Sequence, residues 1–534
     1  MVSDYLSMDS ELKIRPKRKL RVTSRQNLTP IIELLSNYAA TVKFCTPSLP
    51  RCIREELGEM LIKGSVEGSV SCENDIYFGN LSDNTGKYKD GQILLAEAYA
   101  VDAAIYGVNG STGNNISIIK YFATRGKTHL LSSRNIHKSI GIAASEYRID
   151  ISFLPINFND YDELFIPNNA EDIRIELKKH KDNGNPIDVV LLSNPTYEGF
   201  STNIREISDV IKNQNEGIPA DKQVILFVDE AWGAHLPFLP KDVQMLPKYS
   251  LHNGADINTI SIHKQGGGLN QTAVIQVKGS LIDIEELYRI HHEITTTSPS
   301  SFLIGSIDLA RKYLTLGDGK DRLDYMVREL YPSLINMLNN IKGIRTIDDS
   351  YLTEHPSLSM DLTKVVFNTR DTGLSAEHIS KRLLDDYNIS VEKKEDNCAI
   401  LLLTFDTTHF EVHQLRKALQ EITKGKRTTR HDHHVCFPRQ VKKVFPPYIV
   451  EQMKDEYKET LLLNNSVVDR ISAEDITLYP PGIPIIYKGE AFTREHINYF
   501  LAAQSRSVTK VAKDKSLRTV YVLNNKGESY VKNE

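Results

Sequence analysis

Short apolar runs alternate with amphipathic helical stretches through the middle of this 534-residue chain. The runs are predicted to be buried strands because each is short, rich in Val, Ile and Leu, and bounded by polar or turn residues. They read THLLSS, DISFLPI, DVVLLSNP, QVILFVDE, TISIHK and TAVIQVKG. Stretches such as EDIRIELKKHK and IREISDVIKNQ lie between some of them and have helical periodicity. This alternation predicts an α/β fold with a mainly parallel sheet covered by helices on both faces.

The pattern changes on both sides of this region. Residues 91–107 have helix composition and lead through the polar turn NGSTGNN into the helical run ISIIKYFA, which predicts a helix, a turn and a second helix. Beyond about residue 320, a long amphipathic helix precedes mixed strands and helices. We therefore predict an N-terminal arm and helix (1–60), a large domain (61–325), a small α+β domain (326–430) and a C-terminal domain (431–534).

Composition narrows the classes of function. The formal net charge of −4 and the pI of about 6.5 disfavour a nucleic-acid binder, which needs a basic surface. No apolar run approaches the roughly 20 residues that cross a bilayer, and the N-terminus has no signal-like apolar stretch. The basic cluster in residues 1–27 is predicted to be a surface arm, with a hook for an acidic partner as the alternative. A cytoplasmic enzyme is the resulting expectation.

Metal and disulfide sites are not favoured by the Cys and His patterns. The five cysteines are scattered without a CxxC pair, which is typical of free thiols in a reducing compartment. A bond between Cys45 and Cys52 is the minor alternative. His431, His433 and His434 lie in a basic linker, and adjacent side chains rarely converge on one ion, so no metal is predicted.

Residues Asn109–Asn115 form the first of four stretches that indicate chemistry. Backbone N–H groups at a helix N-terminus, together with the hydroxyls of Ser111 and Thr112, make a cradle suited to a phosphate. The motif is not GxGxxG and follows a predicted helix, so a dinucleotide is disfavoured. A plain helix cap is the alternative interpretation.

Asp229 and Lys264 each close an apolar run. Asp229 precedes small residues and Trp232, the only tryptophan. A carboxylate there can keep a pyridinium nitrogen protonated, although a metal ligand or a loop cap fits the same pattern. Lys264 precedes three glycines, and a lysine with a lowered pKa can form an imine. A snorkelling surface lysine is the alternative, which the Ser, His and Gly neighbours disfavour.

His137 lies in SRNIHKS, just after the run THLLSS. An imidazole there can stack on a flat ring, and a structural histidine is the alternative. In chain order, these stretches supply a phosphate cradle, a stacking ring, a partner for a pyridine nitrogen and a Schiff-base lysine. Together they predict a pyridoxal 5′-phosphate (PLP) site at the carboxyl ends of the strands.

From about residue 28 to about residue 500, the sequence resembles the bacterial ornithine/lysine/arginine decarboxylase family. The motifs that carry the resemblance are NGST, SRNIHKS, SNPTYEG, FVDEAWGAH, SIHK, TTTSPSS and YPPGIPIIYKGE. The resemblance implies the PLP-dependent transferase fold of type I, with a seven-stranded sheet in the large domain. It also implies homodimers, or larger homo-oligomers, whose subunits complete each other's active sites. The C-terminal motif favours this family over generic aminotransferases.

The resemblance assigns cofactor contacts to particular residues. Those expected to hold the phosphate are Ser111, Thr112, Gly113 and Ser261. Those expected to contact the ring are His137 by stacking, Asp229 at the pyridine nitrogen, and Ala231 and Trp232 beside it. These positions match the stretches that the sequence pattern singles out.

Further residues are implied to act on the substrate or on a neighbouring subunit. His263 and Lys264 would stand on the reacting face, and Thr297 or Ser298 would reach the neighbour's cofactor phosphate. Glu490 would receive the distal cation of the substrate. A surface glutamate paired with the nearby Lys488 is the alternative for that position.

Two departures from the family pattern bear on function. Members commonly carry a PGHK-type sequence where this chain has FCTPSLP, residues 44–50, and this segment usually lies near the site. The chain also lacks the receiver-like N-terminal wing of the long enzymes, so a wing-dependent decamer is not expected.

The resemblance implies decarboxylation of a basic L-amino acid to its amine and CO2, as in polyamine biosynthesis. Arginine is favoured over lysine and ornithine. Oxidation or transamination of a basic amino acid is one alternative, motivated by the altered FCTPSLP segment. A catalytically silent binding or regulatory homologue is the other, which the intact lysine and cradle disfavour.

Overall fold

The structure is a computed structural model that describes residues 29–63, 79–425, 436–479, 483–504 and 509–531. Its contacts divide the chain into two units, residues 1–42 and residues 43–534. In the first unit, the run IIELLSNYAA forms the helix Pro30–Ala39, which starts at a proline as predicted. The basic arm, residues 1–27, and the histidine-rich stretch, residues 431–435, lie outside the described residues.

Seven strands of the described residues form the central sheet of the second unit. From one edge to the other they are Ala103–Gly107, Ala273–Val277, Ile257–Ile260, Ile225–Asp229, Val189–Ser193, His129–Ser132 and Asp150–Phe153. Neighbouring strands are parallel, except that Ala273–Val277 runs antiparallel to both of its neighbours. The predicted, mainly parallel sheet is confirmed, and the run TAVIQVKG supplies its one antiparallel member.

The edge strand Ala103–Gly107 corrects the sequence prediction, which makes residues 91–107 one helix. The helix Gly86–Tyr99 instead ends at Ala100, whose φ of 50° is left-handed. The residues after it pair with Ala273–Val277 and are largely buried. The polar turn NGSTGNN therefore follows a strand and opens a helix, which places it at the edge where the other strands end.

Helices pack against this sheet through a shared apolar core. The helices whose buried residues join the strands in that core are Gly110–Thr124, Lys138–Glu146 and Ile284–Ile294. The stretches EDIRIELKKHK and IREISDVIKNQ form the helices Ala170–Asp182 and Ile204–Asn215, as predicted. Both have an asparagine N-cap whose side chain accepts backbone N–H groups, which fixes their starts.

A second, antiparallel sheet follows in the chain. A helical run covers 318–339 with a π-helical turn at Met326–Leu330, so the proposed domain boundary at residue 326 lies inside it. The sheet order is Arg345–Ile347, Lys364–Asn368, Cys398–Leu402 and Lys393–Lys394. The remaining helices of this part are Ser301–Thr315, Asp349–Glu354, Ala376–Tyr387 and His409–Thr423. The α+β pattern predicted after residue 326 is present.

The C-terminal module has an apolar core that also includes Phe165 of the large domain. Its strands are Lys458–Leu462 paired with Thr519–Leu523, and Ile476–Tyr479 between Ile483–Ile486 and Thr509–Val511. Its helices are Pro447–Gln452, Arg494–Ala503 and Asn525–Val531.

Other elements are the helix Arg51–Ile62 and the strands Val42–Phe44, Phe158–Asn159, Leu164–Phe165, Phe200–Thr202, Leu358–Met360 and Ile389–Val391. Cys45 and Cys52 form no disulfide with each other. Within the described ranges, no helix is long and apolar enough to cross a membrane.

Candidate active site

The ends of the parallel strands converge on a cavity of about 490 Å³. Ligands of such sheets bind at this edge, because the loops that follow the strands meet there. Nine of the residues singled out from the sequence line the cavity: Ser111, Thr112, His137, Asp229, Ala231, Trp232, Ser261, His263 and Lys264. The structure therefore brings together side chains that are up to 153 residues apart in sequence, from Ser111 to Lys264.

The N-terminus of the helix Gly110–Thr124 faces the cavity. Ser111 Oγ, in the first turn of this helix, lies 2.7 Å from Oγ of Ser261, which follows the strand Ile257–Ile260. Free N–H groups and the helix dipole favour an anion at such a point. Gly113 does not line the cavity, and its contact with the phosphate stays a prediction. A Cβ on Gly113 would lie 2.6 Å from Asn109 Cβ, so the glycine permits close packing.

Asp229 ends its strand with both carboxylate oxygens hydrogen-bonded. Asn115 Nδ2 donates to Oδ2 at 3.0 Å, and the Ala231 N–H donates to Oδ1 at 3.2 Å. Asn115 Nδ2 also donates to Ser139 Oγ at 3.1 Å. Ser139 in turn contacts His137 Nδ1, with its backbone N–H donating at 3.2 Å and its Oγ lying 2.8 Å away. One network therefore orients the carboxylate and the imidazole together.

Asn115 and Ser139 were not assigned roles from the sequence. Both lie inside motifs that were recognised, NGSTGNN and SRNIHKS, which was the available signal. Burial lowers the pKa of His137, and Asp229 partly offsets this effect. A neutral imidazole whose Nδ1 accepts hydrogen bonds is the form that this arrangement favours.

Lys264 lies at the floor of the cavity in the π-helical turn Ile262–Gly266. Burial lowers its pKa to about 8, against the opposing effects of Asp229 and Glu392. Its Nζ lies 4.0 Å from the centroid of the Trp232 ring. A lysine with a depressed pKa supplies more neutral amine near pH 7, which is the nucleophilic form.

His263 is held next to this lysine by the Thr272 carbonyl oxygen, which accepts its backbone N–H at 3.3 Å and also contacts its ring. Its Nδ1 lies 2.8 Å from the Thr272 carbonyl oxygen, so Nδ1 carries the proton and donates. Burial lowers its pKa to about 4. The imidazole is therefore neutral near pH 7, with Nε2 left as an acceptor.

The FCTPSLP segment also reaches the cavity. Thr46 and Pro47 are lining residues, and the Ser48 N–H donates to the Lys264 carbonyl at 3.1 Å. Thr46 contacts Glu392, a further lining residue that no sequence motif singled out. Glu198, within the SNPTYEG motif, lines the same wall.

Glu490 lies outside this cavity, so the structure of the chain does not support its predicted contact with the substrate. Its carboxylate forms a bidentate pair with Arg134, at 2.6 Å to Nη1 and 2.8 Å to Nη2. The two side chains are 3% and 1% exposed, and Glu490 is absent from the cavity wall. Its charge is already neutralised by a buried partner, so it is not available to a ligand. Lys488, the alternative partner, pairs with Glu451 and Asp475 instead.

Thr297 and Ser298 lie in the exposed loop between the helices Ile284–Ile294 and Ser301–Thr315. They do not line this chain's cavity. Their assignment to the site of a neighbouring subunit stays a prediction.

Two domain models of one protein family match this chain. Residues 57–411 match the Orn/Lys/Arg decarboxylase major domain, and residues 434–531 match the C-terminal domain of the same family. The chain belongs to the Orn/Lys/Arg decarboxylase family. The resemblance drawn from the sequence motifs is confirmed.

Curated relatives agree with this assignment. An arginine decarboxylase of Halalkalibacterium halodurans is 28% identical over 418 residues, which cover 78% of this chain and 80% of that protein. An arginine decarboxylase of Bacillus subtilis is 28% identical over the same shares. The inducible lysine decarboxylase of Escherichia coli is 23% identical, over 88% of this chain and 76% of that protein.

Solved structures show the fold. The constitutive lysine decarboxylase of E. coli superposes with a TM-score of 0.71 at 19% identity, covering 93% of this chain and 82% of that one. Lysine decarboxylase A of Pseudomonas aeruginosa gives 0.70 at 18% identity, covering 94% and 82%. An L-threonine transaldolase in its internal aldimine state gives 0.52 at 14% identity, covering 75% and 88%. The predicted PLP-dependent fold of type I is confirmed.

The residues present fit the cofactor that this fold class uses. A paired-hydroxyl cradle at a helix N-terminus suits a phosphate, and Asp229 is a carboxylate held for a cationic ring nitrogen. Among the residues that the structure describes, the buried acceptor Asn115 Oδ1 at this wall has no hydrogen-bond partner. The buried amine of Lys264 is the group that can hold an aldehyde covalently.

Proposed function

We propose that this chain catalyses the PLP-dependent decarboxylation of a basic L-amino acid, with arginine as the preferred substrate. The observation that carries the proposal is the buried Lys264, with a pKa of about 8, in one cavity with Asp229 and the Ser111–Ser261 pair. The family of the chain and the names of its relatives support the reaction and the substrate class.

The residues that line the cavity would have different roles in the reaction. PLP supplies the electron sink for the pair that is released when the Cα–carboxylate bond breaks. Ser111 and Ser261 would bind its phosphate, and Asp229 would keep a proton on its ring nitrogen. Trp232 and His137 would enclose the ring and exclude water from the reacting face.

Lys264 is the better candidate to return a proton to Cα after CO2 leaves. With a pKa of about 8, its ammonium is the main form near pH 7 and can donate. With a pKa of about 4, His263 is a neutral imidazole whose only proton is donated to the Thr272 carbonyl. His263 would therefore act on the reacting face by position and hydrogen bonding rather than as the acid.

We further propose a cytoplasmic homodimer in which Thr297 or Ser298 completes the neighbouring site. Support comes from the resemblance of the TTTSPSS segment and from the exposure of this loop in the single chain. The three-domain division after the N-terminal arm is part of the same proposal. Two domain-level matches lie on either side of residues 412–433, close to the proposed boundary at 431.

A substrate screen of the purified protein tests the function. Arginine, lysine and ornithine are supplied separately with PLP, and CO2 and the amine product are quantified together, with Lys264→Ala as the control. We expect equimolar CO2 and amine, with arginine the best substrate. Because Thr46 and Pro47 of the altered segment line the cavity, oxidation or transamination is the competing reaction. An oxo product without CO2 would identify it and refute decarboxylation.

A further inference from the structure

Glu392 is a carboxylate on the cavity wall that none of the assignments above uses. It follows the short strand Ile389–Val391 and shares the cavity with Lys264. Its Oε2 accepts the Thr46 N–H at 2.6 Å, and its Oε1 accepts the Tyr197 hydroxyl at 2.8 Å. Within the described ranges, its hydrogen-bond donors are neutral, so its charge is oriented but not neutralised by direct contact.

The lysines nearest to this wall make their direct contacts elsewhere, and Glu392 acts on Lys264 and Lys364 only electrostatically, opposing the lowering of their pKa values. Lys393 pairs with Glu198 at 2.9 Å and Glu395 at 3.0 Å, which neutralises Glu198. Lys364 Nζ donates to the Tyr197 carbonyl at 2.6 Å and lies 3.7 Å from the centroid of the Trp232 ring. Of the two glutamates on the wall, Glu392 is therefore the one left to attract a ligand cation.

The segment that contacts Glu392 adds no positive charge. Residues 44–50, FCTPSLP, contain no ionisable cation, and Thr46 reaches Glu392 mainly through its backbone N–H. This segment and Tyr197 hold the carboxylate in place with neutral donors. Such an arrangement preserves the negative charge for a partner that arrives from the cavity.

We propose that Glu392 binds the distal cation of the substrate and selects basic amino acids. This inference rests on the proposed function and names the residue that sets its substrate class. A basic amino acid brings three charged groups. The α-amino group must react at the Lys264 end of the cavity, and the α-carboxylate is repelled by Glu392. Only the distal cation complements this carboxylate.

The contacts of Glu392 also bear on which cation fits best. A carboxylate offers about four lone-pair sites, and the two strong contacts to Thr46 and Tyr197 use one on each oxygen. The second site on Oε1 carries only a longer contact from the Thr46 hydroxyl, at 3.5 Å. A guanidinium that displaces this contact finds one site on each oxygen for its two parallel N–H groups. An ammonium binds as a point charge and gains less from this geometry. The site therefore favours arginine over lysine and ornithine.

The test removes charge from the protein and from the substrate separately. Glu392→Gln keeps the shape and an acceptor oxygen, and citrulline is the neutral isostere of arginine. We expect kcat/KM for arginine to fall by on the order of a hundredfold, mainly through KM, because a desolvated charge loses its partner. Turnover of citrulline should be slow in the wild type and unchanged in the variant.

A binding measurement gives a second readout, independent of turnover. The decarboxylated amine of arginine, agmatine, should raise the melting temperature of the wild-type holoenzyme and have little effect on Glu392→Gln. Glu392→Asp keeps the charge and should retain more arginine turnover than Glu392→Gln, which separates loss of charge from misfolding. Glu354→Gln, a change at an exposed carboxylate of the same part of the chain, is the matched control and should behave as wild type.

The possible outcomes separate this inference from the proposed function. Equal kcat/KM for arginine in the wild type and Glu392→Gln, or equal losses on arginine and citrulline, would overturn the role of Glu392. If the wild type releases no CO2 from any basic amino acid, the proposed function fails. The agmatine shift still decides the role of Glu392 in that case, because equal shifts in both proteins contradict cation binding.

Discussion

The buried pair of Arg134 and Glu490 makes the most direct prediction about stability. Glu490→Gln replaces a carboxylate that takes two guanidinium N–H groups and the Tyr487 N–H at 2.9 Å. The amide offers one acceptor oxygen and turns an NH2 donor toward a donor. Arg134 then keeps the Ile485 carbonyl at 2.9 Å as its remaining strong contact.

The expected loss in the free energy of unfolding follows from the burial of the Arg134–Glu490 pair. Breaking a buried ion pair by removing one partner costs about 3–5 kcal/mol, because the other charge stays desolvated and unpaired. Here the guanidinium also lies 4.6 Å and 4.7 Å from the Phe153 and Tyr487 ring centroids, so water cannot readily replace the carboxylate. Burial alone disfavours the charged form of Arg134, but Glu490 outweighs it and raises the pKa of Arg134. A guanidinium is not deprotonated in proteins, so the loss of Glu490 leaves a buried charge whose main stabilising partner is gone.

Urea unfolding followed by circular dichroism measures this loss, and the fluorescence of Trp232, the only tryptophan, reports on the cavity in the same samples. Glu451→Gln is the control within the same module, because it breaks the more exposed pair with Lys488. That change should cost less than about 1 kcal/mol. The double variant Arg134→Met/Glu490→Gln should lose less than the sum of the two single variants, since it removes the unpaired charge.

The substrate preference of Glu490→Gln decides between a structural and a recognition role. At temperatures where the variant is folded, its preference among arginine, lysine and ornithine should match that of the wild type. A variant as stable as the wild type, with a raised KM for the basic substrate alone, would refute the reasoning and restore Glu490 as a substrate ligand.

Three further predictions concern the cofactor site. Lys264→Ala should abolish turnover and the borohydride-fixed pyridoxyl label; peptide mapping that finds the label on Lys364, another buried lysine of lowered pKa, would contradict the assignment. Asp229→Asn should retain PLP, seen by absorbance, but lose about 3–4 kcal/mol of transition-state stabilisation, a hundredfold or more in rate; near-wild-type turnover would make Asp229 structural. Mixing Lys264→Ala with a Thr297→Ala/Ser298→Ala double variant should restore some activity through shared sites, and a fully active monomer in sedimentation would exclude this.

Local signals predicted much of the fold and the cofactor side of the site. The strands that end at Ser132, Ser193 and Asp229 are runs of large apolar residues bounded by polar ones, so their positions follow from burial. The strand Ala103–Gly107 was missed because its small residues, AAIYG, continue the composition of the preceding helix. Only its pairing with Ala273–Val277 distinguishes it, and pairing is not local information.

Residues on the substrate side of the site were harder to predict from the sequence, because their roles also depend on non-local contacts. Glu490 and Arg134 are 356 residues apart in sequence, so nothing near Glu490 indicated that its charge was already satisfied. Glu392 meets Thr46 from 346 residues away and follows a strand of three residues. Motifs of reactive residues can be recognised in one sequence, whereas the partners that neutralise or expose a charge are set by tertiary contacts.

The Arg134–Glu490 pair also limits which parts of related enzymes can be exchanged. Arg134 belongs to the stretch matched by the major domain and Glu490 to the stretch matched by the C-terminal domain, so each domain carries half of one buried charge pair. A chimera with the C-terminal domain of another enzyme keeps Arg134 but need not have a carboxylate at the position of Glu490. Arg134 lies three residues before His137. A C-terminal domain without a matching carboxylate would therefore disturb the proposed cofactor site as well as the contact between the two domains. Viable chimeras should preserve both residues of the pair.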